Sequence, residues 1–78
     1  MKLGIYQHFR GKYYQVLGVS RHSETLEEFV VYQALYDDFG LWTRPRAMFT
    51  EKVPHENGEV SRFVFVGEGV GKAPNVRG

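Results

Sequence analysis

Seven consecutive positions, Arg21, His22, Ser23, Glu24, Thr25, Leu26 and Glu27, gather a guanidinium, an imidazole, two hydroxyls and two carboxylates. They stand between two apolar runs, 13–19 and 29–36. A connection that only reverses the chain is served by Gly, Asn or Pro. This one carries groups able to recognise a ligand, or to work as acid and base through His22 and Glu24. A second group follows at Trp42 and Arg44, which alternation along a strand places on one face. There a guanidinium beside an indole makes a cation–π shelf, and its planar fork suits a carboxylate or phosphate. The plainer reading is that Trp42 is core and that Arg44 pairs with Glu24 or Glu27. Taken together, Arg21, His22, Glu24, Tyr32, Trp42 and Arg44 are the candidate ligand-binding residues, provided the fold brings them to one side.

Spacing removes several sharper chemistries. His22 and Ser23 are adjacent, and on extended backbone adjacent side chains point to opposite faces, so they do not form a nucleophile and its base. Triads assemble from distant segments, and no catalytic residue is assigned. The histidines are His8, His22 and His55, none paired at ligand spacing, and the chain has no cysteine. A tetrahedral thiolate–imidazole site is therefore excluded, and no metal or other cofactor is expected. The run from Gly67 to Lys72 resembles a phosphate loop, but Val66 stands where its first glycine belongs and Ala73 where Ser or Thr is required.

These residues must be positioned by a small frame. The chain has 78 residues, which make one domain with a modest core, and a formal net charge of +1. Near-neutrality gives no electrostatic case for a dedicated DNA-binder. Six Phe, five Tyr and one Trp carry much of the apolar volume. No apolar leader and no bilayer-length run is present, so a soluble, cytoplasmic protein is expected.

Turn signals divide the chain into strands. Arg10 and Gly11 mark a first hairpin, and Asp37, Asp38, Phe39 and Gly40 a second reversal. Asn57 and Gly58 suit a type I′ turn joining 50–53 to a single run 60–66. Pro54 confines the first of those arms to a sheet edge. In 13–19, period two puts Tyr13, Leu17 and Val19 on one face and Tyr14 and Val16 on the other. Segment 29–36 competes between helix, with Thr25 and Glu28 as a capping box, and strand. Its Phe-Val-Val-Tyr content favours strand. Pro45 suits a helix start, so 45–49 is read as one short helical or 3₁₀ turn. The expected fold is all-β: a small bent barrel or roll of five or six short antiparallel strands over residues 1–66, SH3-like in topology. Residues 67–78 are read as a disordered glycine-rich tail.

Five blocks occur in order: His8, Phe9, Gly11 and Lys12; Tyr14, Val16, Leu17 and Gly18; residues 21–27; Val31, Tyr32, Ala34, Leu35 and Tyr36; and Leu41, Trp42, Arg44, Pro45, Met48 and Phe49. In this pattern the chain resembles an uncharacterised bacterial domain-of-unknown-function family of short, stand-alone, mainly-β proteins. The resemblance covers about residues 6–53. It implies a mainly-β fold and a strand at 29–36, and it implies no activity.

The residues themselves favour a non-enzymatic binding module with a polar-aromatic surface built from the 21–27 loop and Trp42 to Arg44. A peptide, a nucleic acid and a small anionic ligand all stay open as partners, with a monomer or weak homodimer and no membrane. The alternatives are a small enzyme or accessory subunit using His22 and Glu24, and a protein–protein interaction domain.

Overall fold

The computed structural model describes residues 1–68; the tail read from the sequence lies outside the described residues beyond Glu68. Strands β1 (Gly4–His8), β2 (Tyr13–Arg21), β3 (Glu28–Ala34) and β4 (Leu41–Pro45) run as an antiparallel meander. The short helix α1 (Arg46–Phe49) follows, then the hairpin β5 (Lys52–His55) and β6 (Gly58–Ser61), then β7 (Phe63–Gly67). β7 returns to pair antiparallel with β1, so the main sheet has the order β4-β3-β2-β1-β7, and β5 with β6 forms a separate two-stranded sheet. The fold is mainly β, as composition and turns foretell. It is not a closed barrel: β4 and β7 are the two edges of an open five-stranded sheet.

Residues 29–34 of this segment are strand, not helix, because β-branched and aromatic residues fit a pleated surface better than a helical one; the strand ends at Ala34, and Leu35 and Tyr36 already belong to the bend that follows. Pro45 ends β4 and caps α1 at its N-terminus, which matches its fixed φ and missing N–H. The second hairpin differs by one residue from the expected turn. His55 pairs with Gly58, so Glu56 and Asn57 form the loop, Glu56 takes the positive φ of 53°, and Gly58 begins the strand. Pro54 sits opposite Glu59 in a strand with no second neighbour, where a missing N–H costs no ladder bond.

Two long-range features escape a strand-by-strand reading. The β2–β3 register shifts between Val16 and Gly18, so Leu17 is an extra residue and Val19 moves to the face of Val30. Val19 thus leaves the face of Tyr13 and Leu17 on which simple alternation puts it. The run 60–66 is also not one strand. It breaks at Arg62, whose N–H donates to the Glu51 carbonyl while its own carbonyl accepts from Phe9. β6 therefore belongs to the small sheet and β7 to the large one.

The pleat gives the large sheet one core face, carrying Tyr6, Tyr14, Val16, Val30, Tyr32, Phe63 and Phe65. Phe49 of α1 closes it. Its ring stacks on Phe63 at 4.0 Å and 4°, and meets the edges of Tyr32 at 5.2 Å and Tyr6 at 5.6 Å. Gly4 is required where β1 meets β7: its φ is +142°, and a side chain there would collide with the Gly67 carbonyl oxygen. Phe49→Ala should cost about 3–5 kcal/mol by urea unfolding, a large part of the ~5–15 kcal/mol available to a domain. A loss under 1 kcal/mol would show that α1 does not seal this core.

Candidate functional site

The connection between β2 and β3 is built from its own polar groups. Arg21 pairs with Glu28, so the loop proper is residues 22–27. The His22 N–H donates to the Glu27 carbonyl at 2.8 Å, and the Leu26 N–H donates to the His22 carbonyl at 2.9 Å. His22 Nδ1 accepts from the backbone N–H groups of Glu24 (3.2 Å) and Thr25 (3.3 Å). Thr25 Oγ1 accepts from the Glu27 N–H at 3.2 Å, and Leu26 takes a positive φ of 66°. The capping-box reading of Thr25 gives way to this side-chain-to-backbone turn. An imidazole lone pair shared by two amides is a turn acceptor, which is the work the sequence left open between chemistry and structure.

The residues from β3 and β4 come together. Tyr32 pairs with Trp42, and Val30 with Arg44, so Tyr32, Trp42 and Arg44 share the core-facing side of the sheet at its β4 edge. Tyr32 is buried, while Trp42 is 55% exposed. Arg44 Nε donates a long hydrogen bond to the Tyr32 hydroxyl at 3.4 Å. Arg21, His22 and Glu24 do not join this group. Four strand positions, about 13 Å, separate Tyr32 from Glu28 at the loop's entrance, and the Glu28 carboxylate is taken by Arg46 at 2.8 Å. The expected pairing of Arg44 with Glu24 or Glu27 is accordingly absent among the ion pairs of the described residues.

Residues the sequence reading passed over complete the surface. Tyr14 packs edge-on against Tyr32 at 5.3 Å and Tyr36 at 5.5 Å, and the hydroxyls of Tyr14 and Tyr36 hydrogen-bond to each other. Lys12 Nζ sits 4.5 Å over the Tyr36 ring. His8 lies 5.0 Å from Phe63 and 6.4 Å from Tyr14. Burial, then the neighbouring Tyr36 hydroxyl, pushes the Tyr14 phenol well above the usual range. Burial, with Arg62, Arg44 and Arg10 nearby, pushes His8 below its ordinary value. The local field is cationic. The signal for these residues was the β1–β2 and β2–β3 registers, which set Tyr6 against Tyr14 and Tyr14 against Ala34.

Two shallow depressions lie elsewhere. One, of about 310 Å³, runs between the β1–β2 turn and the β5–β6 hairpin past His8, Phe9 and His55. The other, of about 410 Å³, lies beside Glu27, Glu28, Arg46 and Thr50, where the charges already pair. Among the described residues no cluster of three metal-ligating side chains occurs, and no helix is long and apolar enough to cross a membrane.

Fold and surface together define a small mainly-β domain with a tyrosine-rich core face that reaches one sheet edge. The chain belongs to the family described as "Protein of unknown function (DUF1653)", which matches residues 4–65. The match thus extends past the blocks of the first resemblance, through the second hairpin and into β7. The chain is similar to the crystal structure of a DUF1653 protein from Bordetella bronchiseptica, at 36% identity and a TM-score of 0.80, over 90% of this chain and 92% of that one. No curated protein matches the chain.

Two measurements check this geometry. His22→Ala should lower stability by about 0.5–1.5 kcal/mol, since two loop amides lose their acceptor; an unchanged urea midpoint would remove His22 from the turn. The depressed folded-state pKa of His8 means the unfolded chain binds its proton more readily. Its contribution to stability is full above the unfolded value, ~6.5, and is lost as pH falls through the folded value. Stability should therefore drop on acidification below about pH 6.5, and His8→Gln should flatten that part of the curve. An equal slope in the variant would assign the dependence to other groups.

Proposed function

We propose that the domain is a non-enzymatic binding module, an SH3-like roll whose ligand surface is the β4 side of its sheet. Tyr32, Trp42 and Arg44 form its centre, with Tyr14, Tyr36 and Lys12 beside them, and it takes an anionic group of its ligand. The observation that carries this reading is the state of Arg44. Its Nε is tethered to the Tyr32 hydroxyl, it makes no ion pair among the described residues, and the exposed Trp42 shares its strand face, although the expected cation–π shelf is not among the cation–π contacts of the described residues. A guanidinium so placed keeps its terminal N–H groups for a carboxylate or phosphate. Binding is favoured over catalysis because the histidine best placed in sequence for acid–base work, His22, has its Nδ1 engaged by loop amides.

Nuclear magnetic resonance titration with sodium acetate, sodium phosphate and a short oligouridylate tests the reading. Shifts should concentrate at the Arg44 Nε–H, the Trp42 indole N–H and the amides around Tyr32. Arg44→Gln should weaken binding about tenfold, as loss of a charge-assisted pair does, with the remaining spectrum unchanged. Shifts scattered over all basic residues and erased by modest salt would reduce the effect to non-specific phosphate attraction and sink the proposal.

A further inference from the structure

The outer edge of β4 has a fixed supply of free backbone groups. The Ala34 N–H donates to the Gly40 carbonyl at 2.9 Å. With the register Tyr32 to Trp42 and Val30 to Arg44, antiparallel alternation makes residues 40, 42 and 44 the ones bonded to β3. Leu41 and Thr43 consequently direct their N–H and C=O groups away from the sheet. The supply ends on both sides. On one side the next outward residue, Phe39, donates its N–H to the Tyr36 carbonyl and its own carbonyl accepts from Gln33 Nε2, both at 3.0 Å. Pro45 has no N–H, and as the N-cap of α1 its carbonyl begins the helical ladder. Leu41 is 65% exposed and Trp42 55% exposed, no bulge interrupts the pairing with β3, and the charge and proline that guard edges, Arg44 and Pro45, stand only at its far end.

We propose that a second copy of the chain covers this edge, β4 pairing antiparallel with β4 about a two-fold axis at Trp42. That register sets Leu41 against Thr43 of the second copy, twice by symmetry, and uses all four free donors and all four free acceptors of the two edges in pairs. Centring on Thr43 instead sets Leu41 against Pro45 and strands its carbonyl. Trp42 then faces Trp42 of the second copy across a pair without backbone bonds, the closer of the two kinds of antiparallel pair. Arg44 falls opposite Gly40 of the second copy. The space a Gly40 side chain would fill lies 3.2 Å from Asp38 Oδ1 and 3.8 Å from Trp42 Nε1. The guanidinium of one copy thus arrives beside the carboxylate of the other. This deepens the reading of Arg44 as an anion-binding group and rests on it: the second copy supplies the anion when no other ligand does, and ligand carboxylates compete with it. An edge of five residues buries less than the ~1,200 Å² of a stable interface, so the dimer is weak and reversible.

Sedimentation equilibrium and amide hydrogen exchange on the full chain, from about 10 µM to 1 mM as suits a weak complex, test the arrangement. The mass should rise toward twice that of the chain, and the Leu41 and Thr43 amides should slow with concentration. Thr43→Pro removes an outward N–H that β3 does not use, and should give a folded monomer throughout. Asp38→Asn keeps a side-chain oxygen for Gly40 but loses the charge, and should weaken association about tenfold, as for a charge-assisted pair. A monomer at 1 mM, or association undiminished by both Thr43→Pro and Asp38→Asn, overturns the dimer. Acetate shifts at Arg44 in monomeric Thr43→Pro separate the two ideas: if the unaltered chain stays monomeric at 1 mM, shifts in the variant retire only the dimer, and their absence retires the anion reading as well.

Discussion

The ring of Phe49, stacked on Phe63, is the contact on which the rest of the arrangement depends. A four-residue helix is far too short to hold itself together, so α1 exists because its last side chain is buried in the sheet's core face. The same stack fixes the return of the chain. After α1 the backbone leaves as a separate hairpin, and β7 comes back to β1 with Phe63 already placed under Phe49. Tyr32 lies edge-on to both rings, at 5.2 and 5.6 Å, so its body is core while its hydroxyl reaches the rim. Arg44 finds that hydroxyl because it stands just before the Pro45 and Arg46 junction that α1 anchors. Core packing and the Tyr32–Arg44 edge of the sheet are therefore one network of aromatic edges, not two separable layers.

How much of this was legible in the chain follows from the range of each interaction. Local signals were read correctly. The β-branched and aromatic content of β3, the helix-starting place of Pro45 and the edge position of Pro54 all act within a few residues. What required distant partners was not legible. Gly18 has no side chain to mark it as the site of a bulge, and only its pairing with Val31 across β3 shows that Leu17 is extra. Arg62 interrupts an otherwise uniform apolar run because Glu51 and Phe9 hold its backbone, and its side chain is paired with Glu51. Even Asn57 and Gly58 were off by one place, since the register of Val53 with Val60 decides which residues occupy the loop.

The candidate site divides along the same line. The 21–27 loop looked chemical because polar types cluster there, yet His22 and Thr25 spend their acceptors on amides three residues away or nearer. A six-residue connection without Gly, Pro or Asn needs such substitutes, and a positive φ at Leu26 records the cost. Tyr14, Tyr36, Lys12 and His8 looked unremarkable because each is alone in its own segment. Strand pairing and the ring contacts that follow from it assemble them. Alternation put Trp42 and Arg44 on one face, and the register of β3 with β4 is what adds Tyr32 to them.

Three arginines near this core make the contrast that gives Arg44 its significance. Arg46 is neutralised by Glu28 and Arg62 by Glu51, and both pairs tie one element to another. Arg44 instead leans on a phenol, a neutral acceptor that steers the guanidinium without cancelling its charge. An ion pair would have supplied more rigidity, because charged acceptors hold a guanidinium about twice as strongly as neutral ones. The weaker tether orients the side chain without cancelling its charge, and the proposed anion-binding role rests on that state.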